Sequence, residues 1–395
     1  MELSVIILSY NVRPYVWQCI DSVMSAISDI EAEVLLVDNA SQDDTVAAIQ
    51  IDFPQVKLLK NQENIGFAKA YNQAVKTAQG KYLCILNPDT VVGEQVFASI
   101  LKFIEGKDKM GALGTQFIDG CGCFLPECKR VVPTPLGSLK KLLGVGGQKG
   151  GYYQDQIAKD DPGEAPILAG AFLFVSRSDY LSIDGFDQRY FMFGEDIDFC
   201  YKLIKKGRQN YYLGPQKIIH YKGESTQKNR QYLERFYGAM VHFYKTHFSE
   251  SRIKVMAVSI LAQGLIWWRS FWPKQNRVAR ESCDSVIWVS RGTSPEPNLW
   301  GWLKKKAQTT HRGNVEARTP EELTELAPKN ALVIFDRAAL TYDQIIGLMA
   351  FGAEHKQRFR IWHKNKGLLI GSDSSDAHGE AIYLDNEQKS MGQAT

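Results

Sequence analysis

The chain has no uninterrupted apolar run of the ~18–20 residues that a membrane-spanning helix requires, so no such helix is expected. It also lacks an excess of charge of one sign: 47 Lys and Arg against 44 Asp and Glu leave +3 over 395 residues. A nucleic-acid partner, whose usual footprint is a strongly basic domain, is therefore not expected. The opening Met1-Glu2-Leu3-Ser4 has no basic region, and no cleaved signal peptide is expected. Seven cysteines, an odd number scattered along the chain, do not make a disulfide framework and suit a reducing cytoplasm. Cys121, Cys123 and Cys128 lie close together, but the fourth ligand and the paired spacing that zinc needs are missing. The turn Ser9-Tyr10-Asn11-Val12-Arg13-Pro14 has no glycine, which disfavours a dinucleotide-dependent dehydrogenase. With 44% hydrophobic and 23% charged residues, the chain is neither disordered nor fibrous, and its length suits two or three domains.

What is present is an alternation of short apolar runs and helical patterns. Leu3–Leu8, Val34–Val37, Val56–Leu59 and Tyr82–Leu86 have the character of buried strands. Tyr15–Ile27 and Phe67–Ala78 have helical spacing. This order predicts a mainly parallel sheet with helices on both faces, whose ligand crevice lies at the carboxyl ends of the strands. Polar groups fall at those ends: Ser9-Tyr10-Asn11, Asp38-Asn39 and Asn87-Pro88-Asp89. Each Asp alone could cap the next helix; acidic residues after two buried strands exceed what a core demands. The stretch 106–163, rich in Gly and Pro, is expected to be loops over the sheet.

Pro166–Val175 is expected to be a further strand, with Gly170 marking a close approach by a ligand or another backbone. An aromatic run, Tyr190–Phe193, then leads to Glu195, Asp196 and Asp198 at the start of a helix predicted over Ile197–Lys206. Acidic residues suit a helix start, but three so close together, partly desolvated by aromatics, also suit a carboxylate tuned as a base. His220 ends a strand predicted over Lys217–His220; a lone His is more often structural than a ligand.

These segments resemble the family 2 inverting glycosyltransferases of GT-A fold, especially the bacterial rhamnosyltransferase-like branch. The matching pieces, in order, are VIILSYN (5–11), LLVDNASQDDT (35–45), NIGFAKAYNQA (64–74), ILNPDT (85–90), LAGAFLFVSR (168–177), GFDQRYFMFGEDIDFCYKL (185–203) and HYKGEST (220–226). LPECKRVVPTP (125–135) resembles a loop of the same family, which further weakens zinc at the cysteines. The resemblance covers roughly residues 1–250. It implies that Asp38 contacts the nucleotide base or ribose beside Ser9, Tyr10 and Asn11, and that Asn64 and Gly66 line the nucleotide-sugar pocket. It implies that Asp89, the last position of the DxD motif, binds a divalent cation, Mg²⁺ or Mn²⁺, bridging the diphosphate. Asn87 replaces the first Asp and brings hydrogen bonds without charge, a departure that weakens metal binding. His220 matches a late metal-ligand position. Asp196 matches the catalytic base, and Glu195 is expected to orient the acceptor or the loop.

The implied partners are a dTDP- or UDP-sugar donor, with dTDP-rhamnose a candidate, and a glycan or lipid-linked acceptor of cell-surface polysaccharide synthesis. Homo-oligomers are common among such enzymes. The competing class is a weakly catalytic GT-A-like scaffold that binds nucleotide or partner proteins. Residues 251–280 contain Trp267, Trp268 and Trp272 beside Arg269, Lys274, Arg277 and Arg280. Two readings stand for them: a helix in the inner membrane interface, making the enzyme peripheral, or a core helix between domains. Residues 281–385 are expected to form a small Rossmann-like α/β domain without GxGxxG, and 386–395 a tail.

Overall fold

Apolar, β-branched runs at the start of the chain become neighbouring strands. Leu3–Ser9 (β1), Ala32–Asp38 (β2), Lys57–Lys60 (β3) and Tyr82–Leu86 (β4) pair in parallel in the order β3-β2-β1-β4. The helices Arg13–Ala26 (α1), Thr45–Asp52 (α2) and Phe67–Thr77 (α3) connect them. α1 has proline in its first turn, where the missing N–H costs nothing. This computed structural model describes residues 1–133, 152–223, 230–248, 264, 283–310, 313–374 and 378–384. The aromatic segment at 251–280, apart from Gly264, its junction with the next domain, and the tail at 386–395 lie outside the described residues.

After Thr90–Val92 (β5) and the helix Val96–Ile104 (α4), the chain enters Met110–Ile118 (β6), a fully buried strand. This corrects the expectation of loops over 106–163. Gly111 and Gly114 dilute the apolar pattern because neighbours press on them: a Cβ at Gly111 would lie 2.6 Å from Asn210 Oδ1, and one at Gly114 3.1 Å from Leu168. Then come Lys129–Arg130 (β7), Pro162–Glu164 (β8), Ile167–Leu168 (β9) and Phe172–Ser176 (β10), so the strand expected over 166–175 is two strands broken around Gly170. Arg177–Ser182 (α5) and Glu195–Lys205 (α6) precede Gln209–His220 (β11), and Arg230–His247 (α7) follows it. The nine-stranded sheet runs β3-β2-β1-β4-β10-β6-β11-β5, with β8 on β11. β10 is antiparallel to both its neighbours and β5 is antiparallel to β11, so the sheet is mixed: parallel in its first half and interrupted in its second. It is the α/β, GT-A-type arrangement, and its first crevice lies beyond the carboxyl ends of β1, β2 and β4.

A second sheet, of six strands, is built from Ser285–Val289 (β12), Val315–Arg318 (β13), Ala331–Asp336 (β14), Arg358–His363 (β15), Leu368–Gly371 (β16) and Glu380–Tyr383 (β17). Its order is β13-β12-β14-β15-β16-β17, parallel through β15 and antiparallel beyond. Pro297–Ala307 (α8), Pro320–Leu326 (α9) and Tyr342–Gly352 (α10) flank it, the last two opened by Thr capping boxes. This sheet packs directly on the first. Both carboxylate oxygens of Glu94, beyond β5, accept the Tyr342 and Asp343 N–H groups at the start of α10, and Asp343 accepts the Gln95 N–H in return. Tyr342 OH donates to Asp21 at 2.6 Å, and the buried pair Gln18–His363 lies at 3.0 Å.

Candidate functional site

Three loops at the carboxyl ends of β1, β2 and β4 form the first wall of the site. The Asp38 side chain is buried; its Oδ2 accepts the Ser41 N–H at 2.9 Å, while Oδ1 has no hydrogen-bond partner among the described residues. Ser9 Oγ is also buried without a partner. Two orphaned buried oxygens side by side on adjacent strand ends are costly unless a ligand satisfies them. Asn11, with φ of 54°, accepts the Gln42 N–H on its side chain and donates its own N–H to Ser41 Oγ, tying the two loops together. Tyr10 is exposed at the rim. Asn39, next to Asp38 just beyond β2, is the hub of the wall. It donates to Asn64 Oδ1 at 3.1 Å and to the Gly66 carbonyl at 3.4 Å, and accepts from Asn61 at 2.8 Å.

Gly66 has φ of +83°, and a Cβ there would lie 2.8 Å from the carbonyl oxygen of Phe191. The Phe67 N–H donates to that same oxygen at 2.9 Å, so the start of α3 is bonded to the aromatic loop that precedes α6. Asn72 of α3 holds the base of that loop, donating to the Phe186 carbonyl and accepting its N–H. The loop then passes through Phe193 and Gly194, both at positive φ, before α6 begins. A bulky residue in that conformation is strained, and such strain persists only where its surroundings enforce it.

α6 opens with Glu195 and Asp196. Asp196 Oδ2 accepts from Arg130 Nη2 at 2.5 Å and from the Gly170 N–H at 3.1 Å; Oδ1 accepts the Ile197 N–H at 2.8 Å. The close approach anticipated at Gly170 is thus made by Asp196, whose Cβ would lie 3.2 Å from a Cβ there. Glu195 turns inward, buried, with Oε2 unpartnered among the described residues. Burial, and then the charge of Asp196, push the Glu195 carboxyl up to about 8. Burial acts to lower the Arg130 guanidinium, but the Asp196 charge and hydrogen bond outweigh it and raise it beyond its usual value.

The third wall is β4 with the end of β11. The Asn87 N–H donates to the Ala171 carbonyl at 2.9 Å, one residue from the amide that holds Asp196. Asp89 is buried and its carbonyl accepts the Tyr221 N–H at 3.0 Å. Its Oδ1 lies 3.5 Å from His220 Nε2, brought there by antiparallel pairing of His220 with Thr90. Behind them Lys222 and Glu127 form an ion pair at 2.5 Å, and Lys222 outweighs burial to hold the Glu127 carboxyl below its usual range. An unbroken run of contacts therefore leads from Asp38 through Asn39, Gly66 and the aromatic loop to Asp196, and by Gly170, Ala171 and Asn87 to Asp89 and His220.

These contacts link the loops that carry the sequence-derived residues, and Glu195 is buried with its side chain turned inward. Arg130 was missed, and Asn39 was noted only as a polar group at a strand end, with no role assigned. Arg130 sits in a two-residue strand, and nothing in its neighbourhood in the chain signals that it pairs with a residue far along it. Among the described residues no group of three His, Cys, Asp or Glu side chains converges as a cation cage. Asp89 and His220 supply two buried donor atoms, and the unpartnered His220 Nδ1 adds no competing protein contact. One carboxylate completed by an anionic ligand is a manner in which Mg²⁺ is commonly held, and the imidazole of His220 suits Mn²⁺.

Residues 4–178 match the description Glycosyl transferase family 2. The chain is 28% identical over 244 residues to N-acetylglucosaminyl-diphospho-decaprenol L-rhamnosyltransferase of Mycobacterium tuberculosis, covering 58% of this chain and 78% of that protein. It is 28% identical over 163 residues to Rhamnosyltransferase WbbL of Escherichia coli, covering 40% and 59%. Among solved structures, the mannosyltransferase PcManGT of Pyrobaculum calidifontis, in complex with GDP-Man and Mn²⁺, has a TM-score of 0.46 at 15% identity, covering 69% of this chain and 88% of that one.

Proposed function

Residues 4–178 are a family 2 glycosyltransferase domain and the chain is a glycosyltransferase; from that premise we propose that it moves a sugar, with rhamnose the leading candidate, from a nucleotide-sugar donor to a glycan or lipid-linked acceptor with inversion. The observation that carries this reading is the continuity of the site: the orphaned Asp38 oxygen at one end, the Asp89–His220 pair at the other, and Asp196 between them. Asp38 and Ser9 offer acceptors for hydroxyl or N–H groups of the nucleoside. Asp89 and His220 would hold a divalent cation, which neutralises charge on the departing diphosphate. Asp196 acts as general base. As the acceptor oxygen bonds to the anomeric carbon, the carbon–oxygen bond to the diphosphate breaks and its electron pair leaves with the nucleotide. The hydroxyl proton passes to Asp196.

The M. tuberculosis relative, named for rhamnosyl transfer to N-acetylglucosaminyl-diphospho-decaprenol, suggests a lipid-linked N-acetylglucosaminyl diphosphate as the first acceptor to try. The test is thermal unfolding with dTDP-, UDP- and GDP-sugars, with and without Mn²⁺ or Mg²⁺, followed by transfer to that acceptor. A donor at about a hundred times its dissociation constant stabilises by roughly 2.7 kcal/mol, a shift of a few degrees. Asp89→Ala is expected to lose both the shift and transfer. Asp196→Asn is expected to keep the shift while transfer falls about 10²–10⁴-fold. Near-normal transfer by Asp196→Asn would remove the base assignment, and no shift with any donor would favour a nucleotide-independent scaffold.

A further inference from the structure

Of the groups near the candidate site, one buried charge has no part in the mechanism above. Arg130 comes from β7, is buried, and places Nη2 2.5 Å from Asp196 Oδ2 and 2.9 Å from the Leu168 carbonyl. It is thereby bonded at once to the proposed base and to the strand preceding Gly170, whose amide holds the same carboxylate oxygen. We propose that Arg130 is a positioning residue for the transfer reaction, fixing the orientation of Asp196 and supplying the positive charge that keeps it, and not Glu195, the proton-free member of the adjacent carboxyl pair. This rests on the transferase reading of the site.

Burial disfavours the charged form of Glu195, and a neighbouring carboxylate disfavours it further. The guanidinium hydrogen-bonds Asp196, while Glu195 Oε2 is left unpartnered. Burial, and then the Asp196 charge, push the Glu195 carboxyl up to about 8, and Arg130 acts on it in the opposite sense without cancelling them. The other titratable groups facing this pair are Tyr152, bonded to Arg130, Cys200 of α6, and Tyr190 beside Glu195. Cys200 is pushed up to about 12 by burial and Tyr190 higher still, so neither changes charge in the working range.

A carboxylate beside a fixed cation stays charged to lower pH than the same group alone. In the full-length chain, Arg130→Met is therefore expected to lower kcat at least tenfold at pH 7. It should also move the acidic limb of the kcat/KM profile up by about one to three pH units. Arg130→Lys keeps the charge without the forked geometry; it is expected to hold the limb near its wild-type position while kcat falls. Both variants should retain the donor-induced rise in unfolding temperature, because Arg130 acts on the base. If Arg130→Met proves too unstable to assay, the Arg130→Lys profile decides alone: a displaced limb overturns the proposal. So does a loss uniform in pH in Arg130→Met, the mark of a purely structural role. Loss of the donor shift in Arg130→Lys also overturns it, making Arg130 a diphosphate contact. A wild-type chain that binds no donor and transfers no sugar instead overturns the transferase reading itself.

Discussion

Glu195 and Asp196 are adjacent in sequence and differ in surroundings: one is turned into the protein, the other is held at the site by an amide and a guanidinium. A carboxyl raised in the folded state and near 4.5 when unfolded binds a proton only in the native protein between those values. Stability is then greatest below about 4.5 and declines as pH rises toward about 8. Glu195→Gln removes that dependence. Denaturant unfolding is expected to show the variant gaining on the wild type as pH goes from 5 to 8; parallel pH profiles would contradict it. Acidity at this helix start was legible in the chain, whereas the division of roles was not, because it depends on Arg130, 66 positions away.

At the scale of elements, the site depends on how the aromatic loop before α6 sits on the start of α3. The Gly66 backbone is in the left-handed region and in contact with the Phe191 carbonyl. Gly66→Ala adds both a disfavoured conformation and a 2.8 Å contact to backbone, costing about 1–3 kcal/mol. The expected result is a lower unfolding midpoint together with a smaller donor-induced shift, since Asn64 and Asn39 are bonded to the same turn. An unchanged donor shift would show that the turn does not serve the donor. α7 closes the loop from outside: His247 Nε2 lies 2.6 Å from the buried Asp198 Oδ1, and His242 3.4 Å from Asp187. The strands β1, β2 and β4 were legible because strands buried on both faces are continuous apolar runs. β6 was not, because its glycines answer to neighbours that meet it only after folding.

At the scale of the molecule, the nine-stranded and six-stranded sheets are joined by charged and hydrogen-bonded contacts. β5 runs from beside Asp89 to Gly93, and Glu94 just beyond it caps α10 of the second sheet. Arg337 adds to the same contact, donating to Ser25 at 3.0 Å and lying 4.1 Å over the Tyr342 ring. Deep in the interface His363 is driven down to about 3 by burial and by Arg337, and so is neutral where it meets Gln18. Calorimetry of the full chain is expected to give a single cooperative transition. Glu94→Ala should lower its midpoint, costing about 0.5–2 kcal/mol by leaving the Tyr342 and Asp343 N–H groups at the start of α10 without their acceptor. Two separated transitions in the wild type would mean that the sheets unfold independently. Among the described residues no helix is long and apolar enough to cross a membrane.

The sequence by itself determined the order of strands and helices in the parallel first half of the first sheet, the polar groups at the strand ends, and the family those groups resemble. Local periodicity and turn chemistry carry that information, because they act over a few residues. Only the tertiary structure decided that Arg130 faces Asp196, that Glu195 turns inward, that Asp89 meets His220, and that the second sheet holds the segment just beyond β5, the strand that follows Asp89. Each of those depends on side chains far apart in the chain meeting where little water is left to screen them, and there burial and pairing set both charge and orientation.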